Sequence, residues 1–161
     1  MKSAFIILFI LLTVMNIITW HMLPDRVASH FGKDGQPDGW LSKNSHFFLM
    51  QGLYVFMFLM FYFSPVLIFK VPPQSVNLPN RDFWLSPENR EQTRQKISNA
   101  MYEMGVYIFL FFGFIGYLAF QANQDPPFCL NESIFIIGLC GFFALTIYWI
   151  IKFMLSFKKP N

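Results

Sequence analysis

Four long apolar runs, separated by polar segments, dominate the sequence. They cover roughly residues 4–20, 47–69, 100–121 and 134–155. Each run is close to the roughly 20 residues that an α-helix needs to cross the hydrocarbon core of a bilayer. The pattern therefore predicts an all-α integral membrane protein with four transmembrane helices, in which residues 1–161 form one membrane domain.

The two longer polar segments, residues 21–46 and 70–99, lie on opposite sides of the predicted membrane. The first contains SHFGKDGQPDGW, in which two Asp-Gly pairs and a proline form a turn cluster between two short extended pieces. We expect a short β-hairpin in this loop. In the second segment, SPEN predicts a helix that starts with Ser86 as N-cap and runs directly into the third span.

The first run has two interpretations. Its lysine before an apolar core, followed by VAS ending at Ser29, resembles a secretory signal with a cleavage site. However, the apolar core of about 16 residues is long for a signal, and the cleavage site lies far downstream of it. We interpret the run as an uncleaved first span, with a removed signal as the alternative.

Composition and charge agree with a membrane protein and set its orientation. The chain is 55% hydrophobic and 13% charged, whereas about 25% of residues are charged in soluble domains. Cytoplasmic loops carry an excess of Lys and Arg, which places both termini and residues 70–99 in the cytoplasm and residues 21–46 outside. The cytoplasmic side then holds Lys2, Lys70, Arg81, Arg90, Arg94, Lys96, Lys152, Lys158 and Lys159, and the outer side holds Arg26, Lys33 and Lys43.

Polar residues inside the predicted spans are candidates for structure or for function. Asn16, Gln51 and Glu103 could together line the polar track of a small transporter or helper subunit. Glu103 has a second interpretation, as one half of an ion pair or hydrogen bond with Arg94, Lys96 or Asn99. The small residues of the last two spans predict close contacts between helices, namely Gly113, Gly116, Gly138, Gly141 and Ala144.

Only the histidines and aspartates of the first loop resemble a site that could bind a metal or catalyse a reaction. His21, His30 and His46 are candidate metal ligands. Their spacing matches no known ligand pattern, and HExxH, GxSxG and phosphate-loop motifs are absent. We therefore expect no enzymatic activity and no cofactor. In the alternative interpretation His30 is a packed, hydrogen-bonded residue, and Asp34 and Asp38 form turns before glycines.

Two segments resemble a known family. LPDRVASHFGKDGQPDGWLSK resembles the signature of the family catalogued as domain of unknown function 1648, through Leu23, Pro24, His30, Phe31, Gly32, Gly35, Pro37, Asp38, Trp40 and Lys43. VNLPNRDFWLSPENREQT is similar to a second segment of proteobacterial-type members, through Asn77, Pro79, Asn80, Arg81, Trp84 and Pro87. The resemblance covers about the first hundred residues.

The resemblance implies a multispanning, non-enzymatic protein of the bacterial inner membrane. This family forms the N-terminal part of the SdpI-like immunity proteins, which protect a cell against a secreted peptide toxin and hold a transcriptional repressor at the membrane. Those proteins carry additional C-terminal spans, so the resemblance does not by itself imply immunity.

Three functions follow as hypotheses. In the first, an outer surface recognises an extracytoplasmic peptide, lipid or envelope component through His30, Gly35, Pro37, Asp38, Trp40 and Lys43. An inner surface then binds a cytoplasmic protein through Asn77, Pro79, Asn80, Arg81 and Trp84. The second is a membrane metalloprotein or enzyme that uses the His and Asp groups of the first loop, and the third is the small transporter or helper subunit. The lipid bilayer is a partner in all three, and the scattered basic residues exclude nucleic acid.

Overall fold

The computed structural model describes residues 1–158, so Lys159, one of the basic residues counted above, lies outside the described part. Within residues 1–158 there are five α-helices and one pair of strands. Their bounds are α1 Lys2–Met22, β1 Arg26–Phe31, β2 Pro37–Ser42, α2 Lys43–Ile68, α3 Arg81–Trp84, α4 Arg90–Ala122 and α5 Glu132–Ser156.

Helices α1, α2, α4 and α5 are each long and apolar enough to cross a membrane. Strands β1 and β2 form a two-stranded antiparallel sheet between α1 and α2. The predicted fold, four transmembrane helices with one small hairpin, is therefore confirmed. We call the side that carries β1 and β2 the hairpin end, and the opposite side the α3 end.

The start of α4 differs from the prediction. The helix begins at Arg90, whereas the sequence predicted a start after Ser86. Asn89 closes a turn instead, because its Nδ2 donates to the carbonyl oxygen of Phe83 at 3.0 Å and to the Ser86 hydroxyl oxygen at 3.3 Å. The turn follows the four-residue helix α3, which is too short to show an apolar period in the sequence.

The core of the bundle lies between α1, α2 and α4. Phe5 is fully buried there, and its ring stacks on the rings of Phe58 and Phe109 with centroids 5.2 Å away in both cases. Gly105 makes this close approach possible, since a Cβ at that position would press into the Phe5 ring. The buried core residues are Phe5, Leu12, Tyr54, Phe61, Tyr102, Val106 and Phe109.

Helix α5 packs on another side of α4 and buries none of its residues within the described chain. Gly138 meets the ring of Phe114, and Gly113 meets Leu12, so the prediction of close helix contacts is correct at these two glycines. It is wrong for Gly141, whose Cβ position has no atom within 4 Å. The apolar side chains of α5 that α4 leaves uncovered are suited to contact with lipid.

Pro65 in α2 leaves one backbone carbonyl group without its usual helical donor, and a neighbouring side chain replaces that donor. Pro65 lies inside the last turn of α2 and has no N–H to offer the carbonyl group of Phe61, four residues earlier. The hydroxyl group of Ser64 donates to that carbonyl oxygen at 3.3 Å instead. The helix therefore continues to Ile68 rather than ending at the proline.

Glu103 is paired across helices, and its partner differs from those predicted. Lys152 of α5 donates to both carboxylate oxygens, at 2.6 and 2.8 Å. The Tyr107 hydroxyl group donates to one of the same oxygens at 2.8 Å. Arg94 and Lys96, named as candidates by the sequence, point elsewhere: Arg94 pairs with Glu91, and Lys96 donates to the carbonyl oxygen of Ser156 at 2.9 Å. The sequence could not reveal this pair, because 49 residues separate Glu103 from Lys152 along the chain.

Replacing Lys152 by methionine leaves the Glu103 carboxylate without its cation. We expect the midpoint of thermal unfolding in mild detergent to fall by roughly 5–10 °C, because an unpaired carboxylate in apolar surroundings is costly. The double variant Glu103→Met with Lys152→Met should recover most of this loss. The control is Lys70→Met, at an exposed lysine just beyond α2. A Lys152→Met protein as stable as the wild type would show that the ion pair does not hold α5 on α4.

Candidate functional site at the hairpin end

The hairpin has a defined register and a tight turn. Its pairs run from Arg26 opposite Ser42 to Phe31 opposite Pro37, with irregularities on both sides of His30. Pro37 is the first residue of β2, a position where a missing N–H costs little. The turn is closed by the Gly32 N–H, which donates to the Gln36 carbonyl oxygen at 2.8 Å.

Asn123, just after α4, clamps the hairpin to the bundle. Its Oδ1 accepts the N–H of Ala28 at 2.7 Å, and its Nδ2 donates to the Ala28 carbonyl oxygen at 3.0 Å. Nδ2 also donates to the carbonyl oxygen of Ala119 at 2.9 Å. The side-chain amide thus pairs both free backbone groups of Ala28, as a neighbouring strand would do. Asn123 is 1% exposed, so the clamp is shielded from water.

The tip of the hairpin rests on the segment that joins α4 to α5. The N–H of Leu130 donates to the carbonyl oxygen of Gly35 at 2.9 Å. Gly35 has a φ of +68°, and a Cβ there would collide with the carbonyl oxygen of Leu130. Both the backbone conformation and the close contact therefore require glycine. A residue of the predicted outer surface is thus explained by packing.

His30 and Asp38 are partners across the two strands. Nδ1 of His30 is hydrogen-bonded to Oδ1 of Asp38, and the side chains are 74% and 54% exposed. Two predictions change accordingly. Asp38 lies in β2 and holds His30 rather than forming a turn, and His30 is hydrogen-bonded but not packed in the interior. Gly39 lies opposite His30 and leaves room for it, since a Cβ there would press against the Cβ of His30.

Trp40 and Lys43 anchor the base of the hairpin. The ring of Trp40 lies between the Arg26 guanidinium group, 5.1 Å from the ring centroid, and the Phe128 ring, 5.9 Å away between centroids. Lys43 lies 5.4 Å from the ring centroid of Trp20, and its Nζ donates to a backbone carbonyl oxygen at the end of α1 at 3.5 Å. Both predicted recognition residues are therefore engaged within the protein.

A cavity of about 640 Å³ opens beneath the hairpin, between α2 and α5 and over α4. We call it the hairpin cavity. Its rim is polar and its floor is apolar, an arrangement typical of sites for amphipathic molecules. The rim is formed by Ser29, His30, Lys33 and Glu132, and the floor by Met50, Ile115, Gly116, Ala119, Phe135 and Ile136.

A second cavity of about 260 Å³ lies between α1, α2 and α4. His46, Met50, Gly116 and Ala119 line both cavities and separate them. The Nδ1 atom of His46 is buried and has no hydrogen-bond partner among residues 1–158. Buried polar groups are normally paired, so this nitrogen is an exception in the described part of the chain.

Residues 7–55 match the family described as Domain of unknown function (DUF1648). These residues are a DUF1648 domain. It comprises most of α1, the whole hairpin and the first half of α2, which is under a third of the chain. No curated protein and no solved structure matches the chain.

The DUF1648 domain supplies only one side of the hairpin cavity. Ser29, His30, Lys33, His46 and Met50 belong to it, whereas the remaining walls come from α4, α5 and the segment between them. The predicted site residues of the domain mostly build the hairpin and position the rim. The sequence missed Asn123, Glu132 and the floor of the cavity. An Asn after a helix predicts only a helix end, and nothing in the sequence connects Asn123 with Ala28.

The three histidines do not form a metal site. Within residues 1–158 no cluster of three His, Cys, Asp or Glu side chains is close enough to hold an ion. His30 is bonded to Asp38 on the hairpin, His21 is exposed near the end of α1, and His46 lies in the wall between the cavities. The metalloprotein hypothesis therefore finds no ligand set in the described residues.

Asn16, Gln51 and Glu103 do not line one track in the described chain. Asn16 donates to Oε1 of Gln51 at 3.3 Å, and Gln51 donates to the Thr13 hydroxyl oxygen at 3.2 Å, so these residues join α1 to α2. Glu103 lies near the α3 end in a different interface, with Lys152. Asn16 lines the smaller cavity, whereas Glu103 lines a separate one at the α3 end. Within residues 1–158 Asn16 and Glu103 therefore line different cavities.

Residues of the predicted inner surface close the α3 end of the bundle. Trp84 is buried, and its Nε1 donates to the Phe157 carbonyl oxygen at 2.8 Å. Asn80, in a left-handed conformation with a φ of 50°, donates to the same oxygen at 2.9 Å. These two residues therefore hold the end of α5. Asn77 and Arg81 line a shallow cavity of about 350 Å³ there and remain accessible.

Removing the amide of Asn123 should release the hairpin from α4. In Asn123→Ala the backbone groups of Ala28 lose both partners, so we expect amide hydrogen exchange in β1 to become at least about tenfold faster. Hydrogen-exchange mass spectrometry of the peptide covering β1 measures this rate. Gln124→Ala, which removes the neighbouring amide from an exposed position, is the matched control. Equal exchange in the two variants would mean that Asn123 does not hold the hairpin.

Proposed function

We propose that this protein is a non-enzymatic binding protein of the bacterial inner membrane, which takes an amphipathic molecule into the hairpin cavity from the extracytoplasmic side. The observation that carries the proposal is the arrangement of the cavity, with a polar rim on the hairpin and an apolar floor on α4 and α5. A peptide, a lipid or another envelope component of this kind would meet water at one end and the bilayer at the other.

The size and position of the cavity support binding. Ligand-binding cavities generally measure about 300–1,000 Å³, and the hairpin cavity measures about 640 Å³. Ile115, the deepest floor residue on α4, lies seven residues before the end of that helix at Ala122. The floor is therefore within about 10 Å of the helix end, at the level of the nearer leaflet.

The resemblance to SdpI-like proteins supports a role in sensing or protection. In this proposal the hairpin end recognises the ligand and the α3 end carries the signal to a cytoplasmic protein. Trp84 and Asn80 are engaged in holding α5, so the partner would contact the accessible residues Asn77 and Arg81. A partner that breaks the hydrogen bond between Trp84 and Phe157 would release the end of α5.

Filling the cavity tests the proposed function. Gly116 lies in the wall shared by the two cavities, and a Cβ there would be in ordinary contact with the Tyr54 hydroxyl group at 3.6 Å, so a side chain can begin there without a clash. Wild-type protein purified in mild detergent should retain an amphipathic molecule detectable by native mass spectrometry. We expect Gly116→Leu to lose at least about nine tenths of it, because the leucine occupies the floor.

The matched control is Gly141→Leu, where the new side chain would enter open space on the outside of α5. It should retain the molecule at the wild-type level. A second variant, Ala119→Met, fills the same cavity from the next turn of α4. It shows whether a loss of binding in Gly116→Leu is due to a folding defect at Gly116. Equal retention in the filled variants and the control would rule out the cavity as the binding site.

Cys129 provides a test of the orientation. It lies in the segment between α4 and α5 and is exposed, whereas Cys140 lies within α5. In a Cys140→Ser variant, we expect a membrane-impermeant maleimide to label Cys129 in intact spheroplasts, because the distribution of basic residues predicts that the hairpin end lies outside. The Cys129→Ser, Cys140→Ser protein gives the background. Labelling only after the membrane is opened would reverse the proposed orientation.

A further inference from the structure

We infer that the hairpin cavity binds a zwitterionic phospholipid with a primary ammonium group, such as phosphatidylethanolamine. This inference rests on the proposed function and narrows its ligand to one class. Two features of the cavity support it: the two opposite charges of the rim and the apolar floor.

Lys33 and Glu132 place a positive and a negative charge on the same rim. Lys33 lies in the hairpin turn, and Glu132 is the first residue of α5. Within residues 1–158 neither side chain makes a hydrogen bond or an ion pair, although the neighbouring rim residue His30 is paired with Asp38. Both charges are therefore free to bind a ligand. A headgroup that carries one charge of each sign is complementary to this pair.

Each of the two rim charges is complementary to one part of the headgroup. The Lys33 ammonium group matches the phosphate, and the Glu132 carboxylate matches the primary ammonium group, from which it would accept a hydrogen bond. A choline headgroup has no N–H to donate, and an anionic glycerol headgroup has no cation for Glu132. Glu132 also lies favourably in the first turn of α5, so its substitution requires a measurement of stability alongside binding.

The change from a polar rim to an apolar floor follows the order of groups in a phospholipid. The charges of Lys33 and Glu132 lie on the rim, where the headgroup would bind. The floor residues Ile115 and Phe135 are apolar and offer a surface on which the acyl chains would lie. Headgroup and acyl chains thus each meet a matching surface.

Lipid selectivity is the quantity that tests the inference. Full-length protein is stripped of lipid in detergent and titrated with phosphatidylethanolamine, phosphatidylcholine and phosphatidylglycerol of identical chains, with bound lipid counted by native mass spectrometry. We expect the wild type to bind phosphatidylethanolamine about tenfold more tightly than either other lipid, and Glu132→Gln to abolish that preference. Lys33→Gln should weaken all three lipids, because all three contain the phosphate.

The controls are Lys70→Gln and Glu88→Gln, which remove the same charges at exposed positions at the α3 end. Both should keep the wild-type preference, and the unfolding temperature of every variant is measured alongside lipid binding. Wild-type protein that binds the three lipids equally, or that retains a peptide instead, would overturn the inference and leave the proposed function intact. If Gly116→Leu reduced the binding of none of the lipids, both the inference and the proposed function would be wrong.

Discussion

Hydrocarbon offers no hydrogen-bonding partner, and this constraint governs the arrangement of the whole molecule. Several polar side chains inside the spans are bonded to other parts of the protein. Asn16 and Gln51 join α1 to α2, Glu103 and Lys152 join α4 to α5, and Ser64 supplies the donor that Pro65 lacks. The same constraint confines the exposed edges of the β-hairpin to the membrane surface. Polar side chains in the spans thus serve as connections between helices, and the apolar surfaces that remain are left for lipid.

Helix α4 is the element on which the other parts depend. It packs against α1 and α2 on one side and against α5 on another. Beyond its end near the hairpin, Asn123 clamps β1, and its first turns at the α3 end carry Thr93, which donates to the Trp84 carbonyl oxygen at 2.6 Å. One continuous helix of 33 residues therefore connects the hairpin with the segment that closes the opposite end. In the proposed function, this helix is the element that links the hairpin cavity to Trp84.

The sequence predicted the four spans and the hairpin because these depend on local patterns, namely apolar length and turn-forming residues. It could not predict the contacts that create the cavity. The Asn123 clamp joins residues 95 positions apart, and the Glu103–Lys152 pair joins residues 49 positions apart. The start of α4 was also misplaced, because Asn89 and Ser86 are used in a turn that precedes the helix. In each case a long-range or competing polar contact decided the structure, and local propensity did not.

At the hairpin end, the residues of the family signature and the residues that would contact a ligand are different ones. Gly35, Pro37, Asp38 and Trp40, which carry the resemblance, shape the turn, start the strand, hold His30 and pack against Phe128. The charges and surfaces that would contact a ligand lie elsewhere, on Lys33 in the turn and on Glu132 and Ile115 outside the DUF1648 domain. The signature residues therefore shape a hairpin that covers a cavity, and the remaining walls of that cavity come from α4, α5 and the segment between them. In the proposed function, ligand selectivity would therefore depend on Glu132 and the apolar walls outside the DUF1648 domain as well as on Lys33 within it.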